Sequence, residues 1–297
     1  MAFARIGALD LCYETFGSAN DPTVLLVHGL GGQLLSWDEP FCTDVAAGGF
    51  HVVRFDLRDS GLSSSIDSGK VAFPALLASI QDGDMLDVPY DLSDLASDAV
   101  CLLDTLGVER GHVVGLSMGG MIGQTMAIDH PERIRSLVSM MSSTGDPAVG
   151  QPNDPEVRAV ISSPPPPDRD RAIDFIIEAR RVLTGGGPFD PEIVRSQVTT
   201  AVDRAFNPEG TGRQYAAILA SGDRTARLRG VTSPTLVLHG TFDPLIDFSG
   251  AEATAAAIPG ARLAPIPGMG HQVPIPQEFR DQVVGEIVAF LRGVDAA

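Results

Sequence analysis

The stretch Gly115-Leu116-Ser117-Met118-Gly119 decides the fold of this chain. Residues 111–115 predict a short strand, and residues 118–127 predict a helix that begins directly after the serine. A Gly-x-Ser-x-Gly sequence between a strand and a helix is typical of a nucleophilic serine, because the tight turn lifts the hydroxyl out of the sheet. The flanking glycines relieve crowding where a Cβ would clash. The stretch therefore predicts Ser117 as a nucleophile.

Strand-like and helical segments alternate along the chain from about residue 23. Residues 23–28 form a continuous apolar run, as in a strand buried on both faces. Apolar residues recur at helical spacing over 91–106, where Asp91 or Ser93 is suited to cap the helix. This alternation predicts an α/β fold, a mostly parallel sheet flanked by helices. Further strands are predicted within 2–16 (two, joined by a turn) and at 51–56, 134–141, 234–239 and 261–266, with a terminal helix at 277–292.

The character of the sequence changes between residues 143 and 230. Proline and glycine first break the sheet pattern, and amphipathic segments follow at 168–183, 190–206 and 211–220. This change predicts a helical cap at 143–230 that interrupts a core formed by 1–142 and 231–297. Residues 66–90 carry mixed signals and predict a loop with a short helical piece.

The negative charge of the chain disfavours some classes of binding partner. The 297 residues carry a net charge of −17 and no cluster of Lys and Arg, which disfavours nucleic acid and anionic membrane surfaces. No apolar stretch approaches the roughly 20 residues of a membrane span, and no signal peptide is recognisable. The expected location is the cytoplasm. Cys12, Cys42 and Cys101 form no metal or redox motif and are expected to be buried thiols.

A nucleophilic serine needs a base, and the base needs an acid that orients it. His271 lies in a glycine-rich loop after a predicted strand, and Asp243 directly follows the strand that ends at His239. Both positions fall at the carboxyl ends of strands, where open α/β sheets place their sites. Asp243 is the predicted acid, with Asp146 and Asp247 as alternatives.

The chemistry also requires two N–H donors for the negative oxygen of the tetrahedral intermediate. The N–H of Met118, which follows the nucleophile, is one predicted donor, and the N–H of Leu30 is the other, with Gly31 as its alternative. Gly29 and Trp37 are candidate pocket residues, although Trp37 is equally suited to packing. Apolar residues of the insertion are candidate pocket walls: Phe175, Ile176, Phe189 and Phe206.

Two further side-chain roles are predicted near this site. Arg58 and Asp59 are expected to pair and to hold their own loop. His28 is expected to brace the oxyanion loop without accepting a proton, and His239 to pack below the acid loop.

Five motifs in the same chain order resemble the α/β-hydrolase fold family: His28-Gly29-Leu30-Gly31, the stretch 56–63, the Ser117 turn, the Asp243 loop and Gly270-His271. The resemblance covers roughly residues 20–142 and 231–295. Arg58-Asp59-Ser60-Gly61 is similar to the actinobacterial group that includes aclacinomycin methylesterase. The resemblance implies an eight-stranded, mostly parallel sheet with a helical cap, a Ser-Asp-His triad, and neither cofactor nor metal.

The sequence thus predicts a serine esterase that acts on a small-molecule ester. Lactonase, amidase and perhydrolase activities share the same machinery, and a non-catalytic ligand-binding protein on this scaffold is a further alternative. The physiological substrate and the oligomeric state, a homodimer included, are left open by these motifs.

Overall fold

The sheet and its helices are described by a computed structural model for residues 1–66, 88–152, 154–161, 163 and 166–297. Most of the loop predicted at 66–90 lies outside these residues. The strands are β1 (Ala2–Ile6), β2 (Leu9–Phe16), β3 (Thr23–Val27), β4 (His51–Phe55), β5 (Gly111–Leu116), β6 (Ile134–Met140), β7 (Thr235–Gly240) and β8 (Arg262–Ile266). The helices are α1 (Glu39–Ala47), α2 (Leu92–Thr105), α3 (Met118–Asp129), α4 (Pro155–Ile161), α5 (Arg169–Leu183), α6 (Pro191–Arg204), α7 (Pro208–Ser221), α8 (Thr225–Leu228), α9 (Ser249–Ala257) and α10 (Gln277–Asp295).

The eight described strands form one sheet in the order β1-β2-β4-β3-β5-β6-β7-β8. Strand β2 is antiparallel to both of its neighbours, and all other pairs are parallel. In the centre, Val114 of β5 lies opposite Leu26 of β3 and Val138 of β6. The α/β-hydrolase architecture expected from the sequence, with an eight-stranded and mostly parallel sheet, is confirmed.

Each face of the sheet is covered by its own apolar cluster. Leu25 and Val27 of β3 pack with helices α2 and α3 on one face, whereas Val24 and Leu26 pack with α1 and α10 on the other. The alternation follows from the two-residue period of a strand. Because both faces are covered, every residue of β3 is buried. Helix α2 is capped by Asp91, one of the two predicted capping residues, which forms a capping box with Asp94.

Helices α4 to α8 all lie between β6 and β7 in the chain. The amphipathic segments predicted at 168–183, 190–206 and 211–220 correspond to α5, α6 and α7. Two buried ion pairs join this segment to the loop after β4: Arg204 contacts Asp56 at 2.7 Å, and Arg213 contacts Asp59 at 2.6 Å. The division of the chain into a core and a cap stays a prediction.

The predicted pair between Arg58 and Asp59 is wrong. Arg58 instead forms two hydrogen bonds with Asp98 of α2, at 2.6 and 2.7 Å. Asp59 binds Arg213 and accepts a 2.7 Å hydrogen bond from the hydroxyl of Tyr90. Asp59 also adopts a positive φ of 66°, a conformation that is uncommon for residues other than glycine.

The structure also bears on the expectations for the cysteines, for membrane spans and for metal ligands. Cys12 and Cys42 are buried, but Cys101 is exposed on α2, contrary to expectation. Each helix in the described part of the chain is too short or too polar to span a membrane. Within the described residues, no three His, Cys, Asp or Glu side chains are grouped closely enough to hold a metal ion.

Candidate active site

Ser117 occupies a strained turn between β5 and α3. Its backbone has φ 56° and ψ −119°, a conformation that residues other than glycine rarely adopt. A Cβ on Gly115 would lie 2.1 Å from the carbonyl oxygen of Gly119, and a Cβ on Gly119 would lie 2.1 Å from that of Val27. Only glycine therefore fits at both positions, as the Gly-x-Ser-x-Gly pattern implied.

His271 and Asp243 are in direct contact at the carboxyl end of the sheet. The distance from His271 Nδ1 to Asp243 Oδ2 is 2.7 Å, and both side chains are buried. Asp243 Oδ1 accepts hydrogen bonds from the N–H groups of Leu245 and Ile246, which fix the carboxylate in one orientation. Because Nδ1 faces the carboxylate, Nε2 is the nitrogen of His271 that is open to exchange a proton with another group.

The alternative acids make other contacts. The carboxylate of Asp247 accepts the N–H of Ser249, and that of Asp146 accepts the N–H of Ala148. Neither forms a hydrogen bond with His271 in the described structure. The geometry therefore favours Asp243 as the partner of His271.

No hydrogen bond joins Ser117 Oγ to His271 Nε2 in this structure, in which both residues are described. The bond between a nucleophile and its base is often long in the absence of substrate and shortens when substrate is bound. Gly29 lies directly beside the serine, since a Cβ on Gly29 would be 3.2 Å from the Cβ of Ser117. Gly29 is thus a neighbour of the nucleophile, although it does not line the cavity described below.

The N–H groups of Leu30 and Met118 lack a hydrogen-bond acceptor within the described residues, so both are available to a ligand. Leu30, Met118 and Ser117 all line the same cavity. The N–H of Gly31, in contrast, donates a 3.2 Å hydrogen bond to Oε1 of Gln214 on α7. Gly31 is therefore occupied, and Leu30 is the better candidate for the second donor.

His28 connects the ends of two neighbouring strands. Its Nε2 accepts the N–H of Leu57, and its Nδ1 lies 2.8 Å from the carbonyl oxygen of Gly29. Full burial lowers the pKa of the His28 imidazole below its ordinary value, which favours the neutral ring. These contacts fit the predicted bracing role.

His239 packs against the acid loop, as predicted, and it also lies close to the carboxylate of Asp243, which the sequence did not predict. Its Nε2 lies 2.8 Å from the carbonyl oxygen of Ile246 and 3.4 Å from Asp243 Oδ2. Burial lowers the pKa of His239, so the neutral ring is favoured here too. The four-residue separation of His239 and Asp243 across the strand end was the only sequence signal for this contact.

A cavity of about 880 Å³ opens onto Ser117. Three of the four apolar side chains expected as its walls do line it, namely Phe175, Ile176 and Phe206, whereas Phe189 lies in a separate pocket. Trp37 is corrected as a pocket residue. It is 1% exposed and packs in the core against Phe41, with ring centroids 5.0 Å apart, because its position after β3 points into the sheet–helix layer.

Comparison with known proteins places this geometry in context. Residues 22–166 match the family described as alpha/beta hydrolase fold. The chain is similar to rhodomycin D methylesterase DnrP of Streptomyces peucetius, at 30% identity over 90% of each chain. It is also similar to the putative carbamate hydrolase RutD of Variovorax paradoxus, at 29% identity over 89% of this chain and 90% of that one. Among solved structures, a hydrolase from Pseudomonas aeruginosa PA01 superimposes with a TM-score of 0.72 at 27% identity, covering 98% of this chain and 97% of the other.

Proposed function

This chain belongs to the α/β-hydrolase fold family, and we propose that it is a serine hydrolase that cleaves carboxylic esters of small molecules. The observation that carries the proposal is the 2.7 Å contact between His271 Nδ1 and Asp243 Oδ2, formed in the chain that also holds Ser117 in a strained strand-to-helix turn. A carboxylate-oriented imidazole and a serine hydroxyl that opens onto the cavity are the two parts that acyl transfer requires.

In the proposed reaction, Ser117 Oγ attacks the acyl carbon of the ester while His271 Nε2 takes the serine proton. Asp243 holds the imidazole in orientation and stabilises its positive charge. The tetrahedral intermediate collapses when the C–O bond to the alcohol breaks, and His271 gives its proton to that leaving oxygen. A water molecule then attacks the acyl-enzyme, with His271 again as the base, and releases the carboxylic acid.

The N–H groups of Leu30 and Met118 are proposed to bind the oxygen that becomes negative in the tetrahedral intermediate. Two features support this role: neither group has an acceptor among the described residues, and the positive end of the α3 dipole lies at Met118. Donors that are already in place stabilise the transition state without reorganisation.

The helices between residues 143 and 230 are proposed to act as a cap over the sheet. Side chains of α5, α6 and α7 line the cavity together with Ser117. Ester hydrolysis is supported by the similarity to a protein named a methylesterase. Methyl esters are accordingly part of the proposed substrate range.

Hydrolysis of p-nitrophenyl acetate and p-nitrophenyl butyrate tests the proposal, together with labelling by a fluorophosphonate probe. Wild-type enzyme is expected to release p-nitrophenol and to take up the probe. Ser117→Ala is expected to lose about 10⁶-fold in kcat and all labelling, with an unchanged circular dichroism spectrum. Absence of turnover and labelling in the folded wild-type protein would favour a ligand-binding role instead.

A further inference from the structure

Arg180 projects into the cavity from helix α5. It lines the cavity with Phe175 and Ile176 of the same helix, and its Nη1 donates a 3.2 Å hydrogen bond to Oε1 of Gln197 on α6. Its side chain is partly accessible, and its place in the lining indicates that this accessible part faces the cavity. No described carboxylate forms a salt bridge with Arg180.

The surroundings of Arg180 disfavour its positive charge. Burial lowers the pKa of the guanidinium to about 10, and burial is the only cause of this shift. Removing a cation from water is costly unless an anion compensates it. Among the described residues, no carboxylate offsets this cost for Arg180, so an anionic ligand can supply the counter-ion.

Most carboxylates that line the cavity already have arginine partners. Asp38 binds Arg280 at 2.7 Å, and Asp59 binds Arg213 at 2.6 Å. Two further carboxylates line the cavity: that of Glu39 lies 4.0 Å from Arg54, and that of Asp146 accepts the N–H of Ala148. Within the described part of the chain, none of these lining carboxylates forms a salt bridge with Arg180.

The other two arginines in the lining have protein acceptors. Arg54 forms a salt bridge with Glu14 at 2.5 Å. Arg224 donates to the carbonyl oxygens of Gly222 and Ser143, each at 3.0 Å. Of the arginines in the described lining, Arg180 therefore combines partial access to the cavity with only one hydrogen bond, that to Gln197.

We propose that Arg180 binds a carboxylate carried by the ester substrate, so that the cavity selects esters with a second, negatively charged group. The planar guanidinium presents parallel N–H donors that match both oxygens of a carboxylate. The inference rests on the proposed function, because the anion is placed on the substrate of Ser117. It adds the substrate class that the triad alone does not define.

The helix that carries Arg180 is fixed to the loop of the proposed base. Its last residue, Leu183, accepts a 2.8 Å hydrogen bond from the N–H of His271. Gln272 Nε2 donates to the carbonyl oxygen of Pro188, just beyond the helix. A carboxylate held by Arg180 is therefore held at a defined position relative to the base, which orients the ester for attack.

Paired substrates test the inference. One member of each pair is the mono-p-nitrophenyl ester of succinic, glutaric or adipic acid, whose second carboxyl group is free. The other member is the same p-nitrophenyl ester with that second carboxyl group methylated. We expect wild-type kcat/KM to favour the free acid of at least one length by about 10- to 100-fold, the range of a charge-assisted hydrogen bond. The net charge of −17 repels anions at long range, so such a preference must arise within the cavity.

Arg180→Gln is expected to remove this preference and to leave hydrolysis of the diesters within about threefold of wild type. Arg171→Gln is the matched control, because Arg171 lies on the same helix, is exposed and does not line the cavity. Equal wild-type rates for acid and diester at every length, or an equal loss for both in Arg180→Gln, would overturn the inference.

Calorimetric titration with glutarate separates this inference from the proposed function. Binding to wild type that weakens about tenfold in Arg180→Gln supports the Arg180 site even if no ester is hydrolysed. Equal binding to both proteins, or no binding to wild type, counts against the site. Hydrolysis of the diesters without a preference for the acids overturns the Arg180 site and leaves the esterase proposal intact.

Discussion

The backbone N–H of His271 donates a 2.8 Å hydrogen bond to the carbonyl oxygen of Leu183, the last residue of helix α5. The preceding residue, Gly270, lies against the same helix end, since a Cβ there would be 2.2 Å from the carbonyl oxygen of Thr184. The loop of the proposed base is therefore positioned by the end of a helix that lies almost 90 residues earlier in the chain. Any change that separates the two segments is expected to affect the reaction.

Gly270→Ala tests this contact. The added methyl group would force the His271 loop away from Thr184, and a displacement of about 1 Å near the chemistry can cost roughly 100-fold in rate. We expect kcat for p-nitrophenyl butyrate to fall by this order. Gly285→Ala is the control, since a Cβ there meets nothing within 4 Å and alanine favours the α10 helix. Wild-type kcat in Gly270→Ala would show that the contact does not position the base.

Asp243→Asn is expected to lower kcat by about 10⁴-fold, because an amide at this position favours the wrong tautomer of His271. The fold is expected to persist, since the asparagine side chain can still accept the N–H groups that Asp243 Oδ1 binds. Asp247→Asn is the matched control and should keep wild-type activity, because Asp247 contacts Ser249 instead of His271. A large loss in Asp247→Asn with activity retained in Asp243→Asn would reverse the assignment.

Arg213→Leu is expected to lower the free energy of unfolding by about 3 kcal/mol, because it leaves the buried carboxylate of Asp59 without its cation. Arg213 forms two hydrogen bonds with Asp59, at 2.8 and 2.6 Å. Urea unfolding monitored by fluorescence measures the change. Arg169→Leu removes an exposed pair with Asp203 and is expected to change the free energy of unfolding far less, because solvent screens this pair. Similar losses in the two variants would contradict the structural role of the buried pair.

Acid is expected to destabilise the fold through its buried histidines. Burial lowers the pKa values of His28, His112 and His239 in the folded protein below the unfolded value of about 6.5. Below pH ~6.5 the unfolded chain therefore binds more protons, so these groups contribute stability above that pH, and the contribution is lost as the pH falls through their folded pKa values.

The free energy of unfolding, and with it the urea midpoint, should accordingly fall between pH 7.5 and pH 5. The loss of free energy is up to about 1.4 kcal/mol per pH unit for each histidine. The carboxyl of Asp98 acts in the opposite direction, because burial raises its pKa. His112→Gln removes one titrating ring and should flatten the dependence. A midpoint that is constant over this pH range in wild type would contradict the histidine argument.

Much of the fold was predictable from local patterns. The apolar runs at 23–28 and 234–239 and the helical spacing over 91–106 each became the expected element, because strand and helix periods are properties of neighbouring residues. The role of the glycines around Ser117 was equally predictable, since the turn leaves no room for a Cβ at their positions. The location of Asp243 and His271 at the carboxyl end of the sheet was also predictable, because each residue follows a predicted strand.

The sequence by itself thus determined the sheet, the strained turn at Ser117 and the candidate acid and base, because backbone geometry and strand order fix them. Only the tertiary structure decided how the segment 143–230 meets the core: Asp59 binds Arg213 instead of Arg58, Gln214 occupies the N–H of Gly31, and Arg180 enters the cavity. Partners separated by more than 150 residues, such as Asp59 and Arg213, leave no periodic signal in the chain. Their pairing depends on the packing of whole helices against loops, which local propensity does not encode.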